Sequence, residues 1–240
     1  MRIDTYFTLP EVDPASLTGA TVVVIDVVRA TTTIIEALAN GARAIYPTAS
    51  TEEAVRLASS MGREDTLLCG ERRGHKVEGF DLGNSPREFT AEAVEGKKLV
   101  MSTTNGTKAL GVGQEGGRVL PCAFTNLSAV AHAVRADEHI VVMCAGQEDR
   151  FSLDDALCAG HLIQLIVADD AEERAFNDSA RAARTLAAAR RPTRKFLSMT
   201  AGGAAVIRID LADDLEICAD VDRHDIVVVM SDQALVRSGG

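Results

Sequence analysis

Along this chain, short runs of β-branched residues alternate with longer stretches in which apolar residues recur every three or four positions. That alternation predicts strands feeding into helices, and hence an α/β fold. The clearest unit is Val22 to Ala39. Val22–Ile25 is β-branched throughout, as a strand covered on both faces should be. Asp26 falls at the carboxyl end of that strand and Arg29 in the turn. Thr31, Thr32 and Thr33 open a helix with the apolar stripe Ile34, Ile35, Leu38 and Ala39, and Asn40-Gly41 stops it.

Similar units follow. Residues 2–9 read as a first strand and Pro10–Gly19 as a loop. Ala42–Pro47 and Thr66–Gly70 read as strands on either side of a helix over Thr51–Met61, capped by Ser50 or Thr51. Leu99–Ser102, Arg118–Ala123 and His139–Cys144 are further strands. A helix capped at Thr125-Asn126 runs through Ala136, and another runs from Leu153 to Ala168. Residues 169–200 read as helical, alanine- and arginine-rich and broken at Pro192. Ile226–Met230 reads as a last strand and Ser231–Gly240 as a frayed tail. No repeat of fixed period and no low-complexity linker divides the chain, so a single domain over 1–240 is expected.

One segment fits neither period. Glu71 to Phe89 is long, polar and punctuated by Gly74, Gly79 and Gly83. Loops of this length inside a compact domain are usually functional or disordered, and Phe80, Leu82 and Phe89 argue for order. Its Glu71, Glu78 and Asp81 are candidate metal ligands, and Arg72, Arg73, His75 and Lys76 candidate anion contacts.

Composition narrows the partners. The net charge is −10, so no surplus of Lys and Arg is available to displace phosphate counterions, which argues against nucleic acid. A small anionic substrate remains compatible, because a few arginines can dominate a pocket. The five cysteines form no C-x-x-C, no signal peptide is evident and no apolar run reaches membrane-spanning length. These features predict a cytoplasmic protein with reduced thiols and no membrane partner. A homodimer is expected on frequency alone.

The candidate chemistry sits where strands give way to helices. Asp26, Arg29 and Thr31–Thr33 put a metal-capable carboxylate, an anion-capable guanidinium and an anion-friendly helix start within eight residues. Thr103-Thr104-Asn105-Gly106-Thr107 repeats the hydroxyl-rich turn after a second strand. Asp154-Asp155, close to Glu148 and Asp149, supplies more carboxylate than helix capping needs and could face Mg²⁺, which prefers oxygen ligands. Asn84-Ser85-Pro86 reads as a helix cap with proline at the first helical position.

The stretches VVIDVVRATTTI (23–34), GERRGHKVEGFDLGNSPREF (70–89), STTNGTKAL (102–110), FSLDDALCAGHLI (151–163) and DLEICADVDRHDIV (214–227) resemble, in order, the signatures of the 2-phosphosulfolactate phosphatase (ComB-like) family. The chain departs from the commonest pattern at Val28 and Val228, both packing positions. The resemblance implies a three-layer α/β/α fold with a mixed, largely parallel central sheet. It also implies a Mg²⁺-dependent phosphatase, which in methanogens acts on 2-phosphosulfolactate in coenzyme M synthesis. The expected metal ligands come from Asp26, Glu71, Asp81, Asp154 and Asp155. Arg29 and Arg72 are expected to bind the substrate's anionic groups. Thr31, Thr32, Thr33, Ser85, Thr103, Thr104, Gly106 and Thr107 are expected to donate to the phosphoryl group, with Asn84 and Asn105 orienting. The D-x-D-x-T pattern of phosphoaspartate enzymes is absent, since Val28 takes the second position, which favours metal-activated water. The alternatives are the same reaction on another phosphorylated 2-hydroxycarboxylate, and a phosphometabolite-binding protein without catalysis.

Overall fold

The computed structural model describes residues 1–62, 64–168 and 175–239. The chain opens with β1 (Arg2–Tyr6), β2 (Thr21–Ile25), α1 (Ala30–Ala39), β3 (Ala44–Pro47) and α2 (Thr51–Met61). It continues through β4 (Thr66–Arg72), β5 (His75–Lys76), α3 (Ala91–Val94), β6 (Lys98–Ser102) and α4 (Gly106–Gly113). Then come β7 (Arg118–Cys122), α5 (Leu127–Val134), β8 (His139–Cys144), α6 (Leu153–Val167), β9 (Ala175–Phe176) and α7 (Asp178–Ala189). It closes with α8 (Arg194–Leu197), α9 (Ala201–Arg208), α10 (Asp214–Cys218), β10 (Val228–Ser231) and β11 (Ala234–Arg237).

The fold is α/β, with the strands divided between two sheets. The first has the order β7-β2-β8-β1-β9 and is parallel throughout. The second, β10-β11-β3-β6-β4-β5, is mixed. Burial explains the split. Thr21–Ile25 is buried at every position, and its side chains face two different cores. Val23 and Ile25 pack with α5, α6 and α7, whereas Val22 and Val24 share a core with Ile34 of α1, Leu110 of α4 and Leu99 of β6. Helices α1 and α4 therefore lie between the sheets. A smaller core joins Ala54 and Ala58 of α2 to Leu68 and Val100 on the far side of the second sheet.

Local signals place most of these elements. The Ser50 hydroxyl accepts from Glu53 N–H at 3.1 Å, a cap of about 1 kcal/mol. Three expectations change. The 71–89 segment begins as a hairpin, β4 running to Arg72 and returning as β5, and its Pro86–Glu88 stretch forms a single 3₁₀ turn. The tail forms β11, which pairs with β10 and β3 because Asp232 and Gln233, with φ of +46° and +65°, turn the chain back. Of the 169–200 region, residues 169–174 lie outside the described residues, and the rest is β9, α7 and α8. No helix among the described residues is long and apolar enough to cross a membrane.

Candidate active site

Carboxyl ends of strands from both sheets converge on one cleft of about 260 Å³. Ligands of open parallel sheets bind at such ends. β2 delivers Asp26, β4 delivers Glu71, β6 delivers Thr103, Thr104 and Asn105, and β8 delivers Gly146, Gln147 and Glu148. The start of α6 adds Ser152 and Asp155, and α9 with its exit adds Gly202, Ala205, Val206, Arg208 and Ile209. Val28, Arg29, Arg73, Gly74 and Asn84 complete the lining.

Asp26, Asp154 and Asp155 form a buried acidic group at one end. Each is less than a tenth exposed. Burial pushes the Asp26 carboxyl up to about 7; Glu71 and Asp154 add to the rise, while the Ala30 N–H bond and Arg29 oppose it. Burial likewise raises Asp154, and it raises Asp155 well above the carboxylate range with help from Asp154 and Asp26. Hydrogen bonding separates the three. Asp155 accepts from Val27 N–H at 2.8 Å and Gly146 N–H at 3.2 Å. Asp154 accepts from the Ser152 hydroxyl. Asp26 Oδ1 accepts only a long 3.3 Å bond from Ala30 N–H, and its Oδ2 lies against Gly106. A Cβ at position 106 would fall 2.7 Å from that oxygen and 2.4 Å from Ala30 Cβ, so the glycine makes the space in which Asp26 sits.

Other residues expected at the chemistry make their hydrogen bonds within the protein. Arg29 is buried, and its guanidinium donates to Asp214 Oδ2 at 2.9 Å and to the Gly74 carbonyl at 2.8 Å. Losing one partner of such a buried pair costs about 3–5 kcal/mol. Arg72 donates to the Glu71 and Ser102 carbonyls and the Ser102 hydroxyl, and it does not line the cleft. The Ser85 hydroxyl donates to Asp214 Oδ1 at 2.6 Å. Thr31, Thr32 and Thr33 are fully buried, and their hydroxyls donate to the carbonyls of Asp26, Val27 and Asn84. Thr103 and Thr107 bond each other reciprocally. Glu71 accepts from Thr104 N–H, the Thr104 hydroxyl and Gly74 N–H. Asp81 is exposed, accepts from Leu68 N–H and lies away from the cleft.

Two amides remain open to a ligand. Asn84 is buried at the cleft wall with Oδ1 unpartnered, an arrangement that a bound polar group would complete. Asn105, also in the cleft lining, uses Oδ1 to accept from Glu148 N–H, and its NH₂ donates to no described residue.

A family profile described as 2-phosphosulpholactate phosphatase matches residues 6–233. The chain belongs to that family. Among its curated relatives is a probable 2-phosphosulfolactate phosphatase of Clostridium perfringens (strain 13 / Type A), 37% identical over 231 residues, which are 95% of this chain and 92% of that one. A namesake from Synechococcus sp. (strain CC9605) is 40% identical over 238 residues, covering 97% and 98%. Another, from Thermotoga petrophila, is 39% identical over 204 residues, covering 84% and 85%. The expectation of a phosphoric monoester hydrolase holds with the family.

Within the fold, the five family-like stretches all meet around the cleft or brace it. What they did not reveal is the division of labour. Asp214, from the last stretch, neutralises Arg29 across 185 positions. Arg208 lines the cleft from outside all five stretches, at the end of an otherwise apolar helix, where nothing in the local pattern marks it.

Proposed function

We propose that this protein is a Mg²⁺-dependent phosphatase that hydrolyses the phosphate ester of 2-phosphosulfolactate. The observation that carries the reading is the buried trio Asp26, Asp154 and Asp155 at the end of an open cleft, with Asp26 Oδ2 left without a hydrogen bond among the described residues. Buried carboxylates this close are stable together only when protonated or met by a cation. Their hard oxygens suit Mg²⁺, which is commonly held by one or two carboxylates together with water and substrate phosphate. Among the described residues no three acidic, His or Cys side chains form a ready-made cage, so the ion would rest on two carboxylates with water and substrate phosphate. Asp26 and Asp155 line the cleft and are the residues that would hold the ion, with Asp154 behind them. When bound, Mg²⁺ supplies charge neutralisation at the phosphoryl group and lowers the pKa of water.

The protein's own groups then position the ester. The amides of Asn84 and Asn105 turn toward the substrate as orienting groups. Glu71, Arg29 and the two threonine turns hold the walls rigid, which keeps donors preorganised for charge that develops in the transition state. Asp26 is largely buried yet lines the cleft, so its free oxygen can be reached from there.

The test is phosphate release from 2-phosphosulfolactate and 2-phospholactate with Mg²⁺ and with EDTA. Chelator-sensitive release that favours the sulfonated ester is expected. Release that survives EDTA would remove the metal from the reading, and a preference for phospholactate would remove the sulfonated substrate. No release from either ester would overturn the enzyme assignment.

A further inference from the structure

The cleft holds both buried and exposed charges, among them buried Arg29 and Glu71 and exposed Glu148. Asp26 and Asp155 are buried, whereas Arg73 and Arg208 are exposed where they line the same cleft. The two arginines are brought together by a contact between the β4–β5 turn and the exit of α9. A Cβ built at Gly74 would lie 2.9 Å from Ile209 Cδ1, so the residues next to Arg73 and Arg208 touch. The turn is fixed from below. Gly74 N–H donates to Glu71 at 2.7 Å, and the Gly74 carbonyl accepts from Arg29, itself paired with Asp214. Arg73 takes a φ of +54° at this turn.

Arg29 and Arg72 spend their guanidinium groups inside the protein. Arg73 and Arg208 do not: neither side chain has a hydrogen-bond or ion-pair partner among the described residues, although Glu148 lines the same cleft. Two unpaired guanidinium groups on a braced turn and a helix end make a site for a strong anion, which arginine meets with parallel N–H donors.

We infer that Arg73 and Arg208 form a second anion-binding site at the mouth of the cleft, and that it takes the sulfonate of a substrate whose phosphate lies at the Asp26 end. The inference rests on the phosphatase reading above. In 2-phosphosulfolactate the carboxylate shares a carbon with the phosphate ester and the sulfonate is one carbon further out. The sulfonate is therefore the anion that reaches from a buried reacting centre to an exposed rim. As a strong acid it stays charged at any working pH, so the two arginines select it without a titrating partner.

The experiment compares kcat/KM for 2-phosphosulfolactate and 2-phospholactate in the wild type, Arg73→Gln and Arg208→Gln. Isothermal titration with sulfolactate accompanies the kinetics. The ratio of the two specificity constants is expected to fall about 10- to 100-fold in each variant, the range for one charge-assisted hydrogen-bonded contact, mainly through KM. Sulfolactate affinity falls with it. An unchanged ratio, whether both substrates lose equally or neither loses, overturns the assignment. Should the wild type hydrolyse neither ester, the phosphatase reading fails by itself. The titration then decides the site: affinity weakened by both variants upholds it, and affinity that is absent in the wild type or unaltered in the variants overturns it.

Discussion

Asp26 and Glu71 stand at equivalent places, each a carboxylate at the carboxyl end of a parallel strand, one in each sheet, both buried and both lining the cleft. Their surroundings differ. Glu71 accepts three hydrogen bonds and ties the β4–β5 turn to the turn after β6. Asp26 accepts one long bond and keeps an oxygen free beside Gly106. A carboxylate whose lone pairs are filled by the protein holds the protein together, and one left underbonded is reserved for something else. Position in the fold does not separate the two roles; the count of donors does.

Replacing Asp26 by Asn breaks the comparison most severely. Turnover of 2-phosphosulfolactate is expected to fall about 10³-fold or more, the scale on which loss of a group acting on the reacting atoms is felt. The thermal midpoint should hold or rise, because a buried repelling charge has gone. Wild-type turnover by this variant, followed as phosphate release, would falsify the placement of the chemistry. Glu71→Gln should do the reverse. It loses about 1–3 kcal/mol in urea unfolding, since one amide N–H₂ must now face a donor, and its turnover falls much less than that of the Asp26 variant. Gly106→Ala sharpens the contrast from the other side. Its methyl group must displace Ala30 or Asp26, at a cost of about 1–3 kcal/mol by overpacking, and turnover should drop with stability.

The smallest effect is one of pH. A carboxyl raised on folding binds its proton more tightly in the native state than in the unfolded chain. For chelated protein, the Asp26 contribution to stability is therefore full below the ordinary carboxylate value and is lost as pH rises toward about 7. Denaturant midpoints of EDTA-treated protein should decline across that window, and the Asp26→Asn variant should decline less. Equal slopes for the two proteins would show that Asp26 does not titrate there.

Local signals in the sequence carry the elements and the location of the site. The β-branched run before Asp26, the Ser50 cap and the Gly106 helix start are all written in adjacent residues, and each appears where its pattern places it. What long-range pairing decides is less visible. Ala234–Arg237 reads as a frayed end in the sequence, because its partners, Val228–Ser231 and Ile45, give it order that its own composition does not. The same holds for charge. A motif shows that Arg29 is present and cannot show that Asp214 pairs with it; Arg29 and Arg72 make their hydrogen bonds inside the protein, while Arg73 from the same motif as Arg72 and Arg208, in no motif, line the cleft with exposed side chains. The hydroxyls of Thr31–Thr33 mislead in the same way, since the carbonyls they satisfy belong to the turn itself and to Asn84.

The pairing of β1 has a consequence for how the chain is made. Arg2–Tyr6 pairs with His139–Met143, and β2 has both of its partners at Arg118 or later. On a ribosome, where chains emerge at about 5–20 residues per second, the first two strands are made early and then wait for half of the polypeptide, until β7, before either can close a ladder. During that interval Val22–Ile25 is an unpaired apolar segment, the kind of sequence that chaperones hold and that aggregates when they do not.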